Sequence, residues 1–238
     1  MTGTIFNVLT VVIGGLLGML FGSRLPEKLR HTVVAGLGLF TLAYGVKMFT
    51  QTQNSLIVVM SLLFGVLLGE WLKVEEGLEG LGTWLEARFM KNGDGASQAR
   101  FIRGFLTASL VFCIGPMAIL GSIQDGLTGD YQTLAIKAIL DGFAALAFAS
   151  SLGVGVVFSV LPLFVYQGGI SLLAAQVQNF MTADMMTEMS ATGGVLLLGI
   201  ALSSLLEIKH IRVGNFLPAL VIAPLLVWVV ALLGFQLP

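Results

Sequence analysis

Charge is what this sequence has least of. Only 11% of its 238 residues are Asp, Glu, Lys or Arg, against about 25% in an ordinary soluble domain. A soluble globule of this size could not cover its own surface with so few polar groups. Cysteine is nearly absent too: Cys113 stands alone, which excludes an intrachain disulfide and any multi-cysteine metal site. Within its hydrophobic run it reads as a small buried residue. His31 and His210 are the two histidines, and neither has a carboxylate or cysteine at ligand spacing, so no metal site is expected. The net charge of −1 exerts no general pull towards nucleic acid. The chain shows no phosphate-binding Walker loop, no His-Glu-x-x-His, no Gly-x-Ser-x-Gly and no dinucleotide fingerprint in a strand–helix context. No cofactor and no enzymatic activity are therefore expected.

What the chain does have is hydrocarbon-length apolar sequence. Hydrophobic residues make up 56% of it, and the mean hydropathy is +0.96. A helix needs about 20 mostly apolar residues to cross the bilayer core, and only helices and closed barrels satisfy their backbone groups there. The runs are too long and too continuously apolar for barrel strands. The expected fold is an all-α, polytopic integral membrane protein forming one membrane domain over residues 1–238. Its eight candidate spans are Thr4–Gly22, Thr32–Phe49, Ser55–Leu72, Gly104–Ser122, Thr133–Ser150, Gly153–Val177, Ala191–Leu206 and Phe216–Phe235. The first lacks a positively charged lead-in and a small-residue cleavage site, so it is expected to be retained. Only Ser150-Ser-Leu-Gly153 separates the fifth span from the sixth, which leaves open a tight hairpin or a re-entrant segment.

Basic residues orient these spans. With the connections numbered alternately, one side receives Arg24, Lys28, Arg30, Lys73, Arg88, Lys91, Arg100, Arg103, Lys209 and Arg212, ten of the 12 Lys and Arg residues. The other side holds both termini, Gln51–Asn54, Asp125 to Asp130 and Asp184 to Glu188. By the positive-inside rule both termini are expected outside, opposite the cytoplasmic side, and the number of spans is even. Lys47, near the end of span two, is expected to snorkel to the outer surface.

The longest polar stretch, residues 73–100, carries Val74, Leu78, Leu81, Leu85 and Phe89 at three- and four-residue spacing among glutamates. It predicts an amphipathic helix on the cytoplasmic surface with Trp84 at headgroup level. That helix is a connector or a regulatory, partner-binding element, and Asn92–Ser97 is expected to be a flexible link. Gly14, Gly18 and Gly22, and then Gly65 and Gly69, set small residues on single helix faces. Such faces serve close packing within the chain or a homo-oligomer interface. Gly3-Thr-Ile-Phe-Asn7 is faintly echoed by Gly155-Val-Val-Phe-Ser159, and Gly36 and Gly38 by Gly193 and Gly194. The echoes suggest an inverted repeat of spans one to three and six to eight.

The candidate chemistry lies in spans four and five. Pro116 falls in mid-span, where it removes one hydrogen bond and frees a carbonyl. Ser122, Gln124 and Asp125 follow, then Thr128 and Asp130, a dense set of oxygens towards the outer end. In span five Lys137 and Asp141 are four residues apart and share a helix face. An uncompensated charge near mid-span costs on the order of 3 kcal/mol, so ionisable residues there mark ion or substrate paths; a purely structural ion pair is the competing use. Asn7 in span one, and Tyr166 and Gln167 in span six, either line a cavity or bond between helices. Glu70 closes span three as an interfacial charge or a vestibule residue.

The stretch Phe112-Cys-Ile-Gly-Pro-Met-Ala-Ile-Leu-Gly-Ser-Ile-Gln-Asp-Gly-Leu-Thr-Gly-Asp130, with Lys137–Gly142 and Phe148–Gly153, resembles a bacterial membrane family catalogued as domain of unknown function 554. The similarity runs from the first span to the last. It implies a multi-span inner-membrane protein, often guessed to be a transporter, and carries over no site residues. The function expected is a secondary transporter or permease for a small solute or ion. A channel and a non-transporting scaffold or sensor acting through the amphipathic helix are the alternatives.

Overall fold

The computed structural model describes residues 1–22, 26–89 and 95–233. Its helices are α1 (Thr2–Gly22), α2 (Glu27–Phe49), α3 (Ser55–Leu72), α4 (Val74–Phe89), α5 (Gly95–Cys113), α6 (Pro116–Thr128), α7 (Gln132–Leu152), α8 (Gly155–Phe158), α9 (Val160–Leu172), α10 (Ala174–Phe180), α11 (Ala183–Ile200) and α12 (Ala219–Leu232). A π-helical turn at Ala201–Leu205 extends α11, and a 3-10 turn at Val213–Phe216 precedes α12. No strand occurs among the described residues. Seven helices among them are long and apolar enough to cross a membrane, and α5 with α6 makes an eighth span if that bent pair counts as one. The protein is thus an all-α membrane protein, as its composition requires.

The packing divides the chain into two compact units. The first comprises Met1–Leu37, Leu78–Cys113 and Met117–Val177. The second comprises Gly38–Gly77, Ile114–Pro116 and Gln178–Pro238. Neither consists of spans one to three or of spans six to eight alone.

In the first unit α1 lies parallel to α7 at backbone contact. Gly14, Gly18 and Gly22 face the carbonyls of Gly142, Leu146 and Ser150, leaving no room for a side chain at any of the three. Both series advance by four residues, so two helix faces run in step. Close approach of this kind replaces the hydrophobic drive that helices lack in lipid. At the other end of α4, Leu85 is buried against Phe101 and Phe105, with Val154 and Phe158 packed around them. The amphipathic helix is therefore docked on the start of α5 through Leu85, while Trp84 and Leu81 stay exposed.

In the second unit α3 runs antiparallel to the start of α12, with Gly65 against Ala219 and Gly69 against the Asn215 carbonyl. Gly45 and Gly194 meet in the same manner. The glycine faces singled out in the sequence are thus used within the chain. Lys73 ends α3 in the left-handed conformation, φ 55°. Glu75 then accepts from the Gly214 amide, while its own amide donates to Asn215 Oδ1 at 2.8 Å.

Five places differ from the sequence expectation or are left open by it. Span four is broken, with a 63° bend between α5 and α6. Spans five and six are separate helices of crossing length: α7 runs through Ser150 and Ser151 and stops at Gly153, whose φ of 80° few other residues adopt. The sixth is itself interrupted at Ser159 and again at Leu173. Asp184 to Glu188 form the first turns of α11, not a loop, because Thr182 caps that helix by accepting from the Met185 amide at 3.3 Å. Of the expected flexible link, residues 92–94 lie outside the described residues, and Gly95, Ala96 and Ser97 already belong to α5.

Candidate functional site

The site starts from a missing hydrogen. In a continuous helix the carbonyl of Phe112 would accept from the amide of residue 116, but Pro116 has none. The helix stops at Cys113, passes through Gly115 at φ 152°, and restarts at an angle. The freed Phe112 carbonyl is not left bare: Lys137 Nζ, reaching from α7, donates to it at 2.8 Å. The same ammonium forms a close ion pair with Asp141, one turn further along α7. Asp141 stands at the middle of that helix.

Two more helices complete the cluster. Asn7 on α1 donates through Nδ2 to Asp141 Oδ2 at 3.0 Å and to Gln167 Oε1 on α9 at 3.2 Å. Asn7 and Gln167 are fully buried, and the Lys137 and Asp141 side chains are 8% and 13% exposed. Four helices thus meet on one charge pair, and the sequence separation between partners reaches 160 residues. In lipid a lone charge at this depth costs on the order of 3 kcal/mol. Mutual pairing and the surrounding dipoles offset that cost.

The cluster is not closed. Among the described residues, Asn7 Oδ1 and Gln167 Nε2 are buried without a hydrogen-bond partner. So are the hydroxyls of Thr4, one turn before Asn7, and Ser171, one turn after Gln167. Most buried polar groups in folded proteins are paired, and an unpaired one costs about 1–3 kcal/mol. Several together, on elements that already converge, leave donors and acceptors available to something polar.

Towards the start of α1 the polar lining continues. Asp125 on α6 is buried and accepts from the Gly3 amide at 3.0 Å, with the Met1 nitrogen 3.1 Å from its other oxygen. Ser122, one turn earlier on α6, is fully buried and also unpartnered. Gly126 packs against the carbonyl of Ser171, which brings α6 and α9 together at this level.

Of the residues proposed from sequence, Lys137, Asp141, Asn7 and Gln167 are joined directly, and Pro116 acts through the carbonyl it releases. Ser122 and Asp125 line the same unit beside the start of α1. Gln124 does not join them: it is exposed and accepts from Thr133 Oγ1 at 2.7 Å, closing the turn between α6 and α7. Glu70 belongs to the second unit and pairs with Arg212 at 2.7 Å in a partly exposed contact. Sequence reasoning missed Thr4 and Ser171, and foresaw a freed carbonyl without naming it as that of Phe112. The first two stand three and four residues from Asn7 and Gln167, so helical spacing was their signal; the third stands four residues before Pro116.

Comparison with known proteins gives the chain its relatives. The profile of the family described as "Protein of unknown function (DUF554)" matches residues 2–228. The chain is 32% identical over 240 residues to the "Uncharacterized membrane protein YdfK" of Bacillus subtilis (strain 168), covering 99% of this chain and 100% of that one. It is 34% identical over 221 residues to the "Uncharacterized protein YqgA" of Escherichia coli (strain K12), covering 93% of this chain and 94% of that one. No solved structure matches the chain significantly. Matched along nearly all its length, the chain belongs to the family described as Protein of unknown function (DUF554).

Proposed function

We propose that this protein is a secondary transporter or permease that carries a small solute or ion across the bacterial inner membrane, with both termini outside. The observation that supports this reading best is the incomplete polar cluster around Lys137 and Asp141: charged and buried at the middle of a spanning helix, beside a broken helix, with polar atoms left over. A pair that only locked helices together would have no reason to keep unpaired amides and hydroxyls around it, since each destabilises the empty state. A helix broken at proline inside a membrane is tolerated where neighbouring groups or a ligand satisfy the freed backbone. Here one side chain, Lys137, does so. The orientation rests on the ten basic residues gathered on one side. The faint echo of Gly3–Asn7 in Gly155–Ser159 suits the inverted repeats common in such transporters.

The test is flux. The purified protein in proteoliposomes should show saturable uptake of its solute, and Asp141→Asn should reduce that uptake at least tenfold while leaving the protein folded. Unchanged flux in the Asp141→Asn protein would refute the assignment. Unitary currents without saturation would show a channel.

A further inference from the structure

The charges at this site are already spent on one another, and what remains is neutral. Lys137 and Asp141 form an internal pair of zero net charge. Asp125 is engaged by the Gly3 amide and the Met1 nitrogen. The unpartnered atoms around the pair are of both senses. Asn7 Oδ1 can only accept, Gln167 Nε2 can only donate, and the hydroxyls of Thr4, Ser122 and Ser171 do either. A bare cation entering here would satisfy the acceptors and face the donor and an ammonium. An anion would satisfy the donors and face a carboxylate. Either would add an uncompensated charge to a site that excludes water from most of its side chains.

We infer that the solute bound at the Asn7–Lys137–Asp141–Gln167 cluster carries no net charge and offers hydrogen-bond donors and acceptors together: a small neutral polar molecule or a zwitterion. This inference rests on the transport reading of the same cluster and names its substrate class. A zwitterion meets the charge pair as well as the neutral groups, with its negative end towards Lys137 and its positive end towards Asp141 and the Phe112 carbonyl. A neutral amide or polyol meets the leftover atoms and leaves the pair intact. In both cases the occupied site stays electrically neutral, so the bound state gains no charge as it changes its exposure across the membrane.

The hydroxyl of Thr4 provides the cleanest handle, because it is fully buried and has no hydrogen-bond partner among the described residues. Replacing it by the isosteric valine breaks no internal bond. Thr4→Val should therefore leave the melting temperature of the empty full-length protein unchanged or slightly raised, and weaken solute binding. The experiment measures thermal shifts of the purified protein in detergent with glycine, serine, urea and glycerol as the net-zero probes. Sodium, putrescine and succinate serve as the charged ones. Stabilisation is expected from at least one net-zero probe and from none of the charged ones, with an apparent affinity about tenfold weaker in Thr4→Val. Glycine and serine against urea and glycerol separates zwitterion from neutral solute. Stabilisation by a charged probe that disappears in Asp141→Asn overturns the inference, and so does the absence of any shift with the four net-zero probes. Uptake into proteoliposomes separates this inference from the reading it rests on. A net-zero probe that binds but is not transported sinks the transport reading and leaves the substrate class standing. A current driven by sodium, putrescine or succinate leaves transport standing and overturns the class.

Discussion

Two carboxylates within the helix bundle, one in each compact unit, are treated in opposite ways. Glu188 of the second unit is 1% exposed. Both its oxygens are engaged by the turn after α2: Thr52 Oγ1 donates at 2.6 Å, the Gln53 amide at 2.7 Å and the Asn54 amide at 3.1 Å. These donors come from one short turn, and together they fix the join between α2 and α3 to α11. Asp141 of the first unit is held by Lys137 and Asn7, and the groups around it keep unsatisfied valences. A carboxylate that anchors structure consumes every donor near it. One that handles a solute, as proposed for Asp141, would leave donors and acceptors in reserve. Burial alone would have ranked Glu188 the stronger candidate; completeness of pairing reverses the order.

Substitutions can break that comparison. The largest effect is expected from Glu188→Ala, which leaves a hydroxyl and two amides of the 52–54 turn without an acceptor; the loss is about 3–5 kcal/mol, read as a lowered midpoint of unfolding in detergent. Flux per folded molecule should stay near that of the unmodified protein, and a folded Glu188→Ala protein that has lost transport would erase the distinction. Next comes the scaffold that holds the first cluster. Gly18→Ala forces a methyl group into the Leu146 carbonyl and should cost about 1–3 kcal/mol, measured by thermal unfolding. Gly36, which faces open space, should instead tolerate alanine with a small gain, on the order of 0.5–1 kcal/mol from helix propensity. The smallest change in stability is expected from Pro116→Ala. It restores an amide able to take the Phe112 carbonyl from Lys137, within about 1 kcal/mol of the original. Yet it should lower flux, since the helix is then free to straighten. If Pro116→Ala transports normally, the break in span four is not part of the site.

How far the sequence could be read follows from what each feature depends on. The bilayer demands long apolar helices from any chain that crosses it, so spans one, two, three and five were legible from hydropathy, and α7 emerged as a full crossing. The pairing of Lys137 with Asp141 was legible because i,i+4 spacing on a helix is a local fact. Pro116 marked the break, and with it the free Phe112 carbonyl, since the lost hydrogen bond reaches back four residues by rule. Asn7 and Gln167 were visible only as polar residues within spans. That Asn7 meets Asp141, and Gln167 joins through Asn7, depends on α1 lying parallel to α7, and nothing local to either helix states it. The partners of Gln124 and Glu70 were illegible for the same reason. A polar residue near a helix end looks alike whether it closes a turn, pairs across to Arg212 or lines a cavity.

Glu188 shows where local reading fails outright. Four polar or acidic residues between Thr182 and Glu188 resemble a solvated loop, and the chain instead continues there as helix with the carboxylate turned inward. The donors that make this possible lie some 135 residues away.

By itself the sequence determined that this protein is a bundle of membrane-crossing helices, because scarcity of charge and the length of its apolar runs leave the backbone no other way to satisfy itself in lipid. It also determined where a helix must break and which two charges must share a face, because both are consequences of spacing within one segment. Only the tertiary structure decided that four helices converge on those charges, and that some of their neighbours are left unpaired. Those are properties of packing between segments distant in the chain, and there complementarity of glycine faces, not hydropathy, selects the partner.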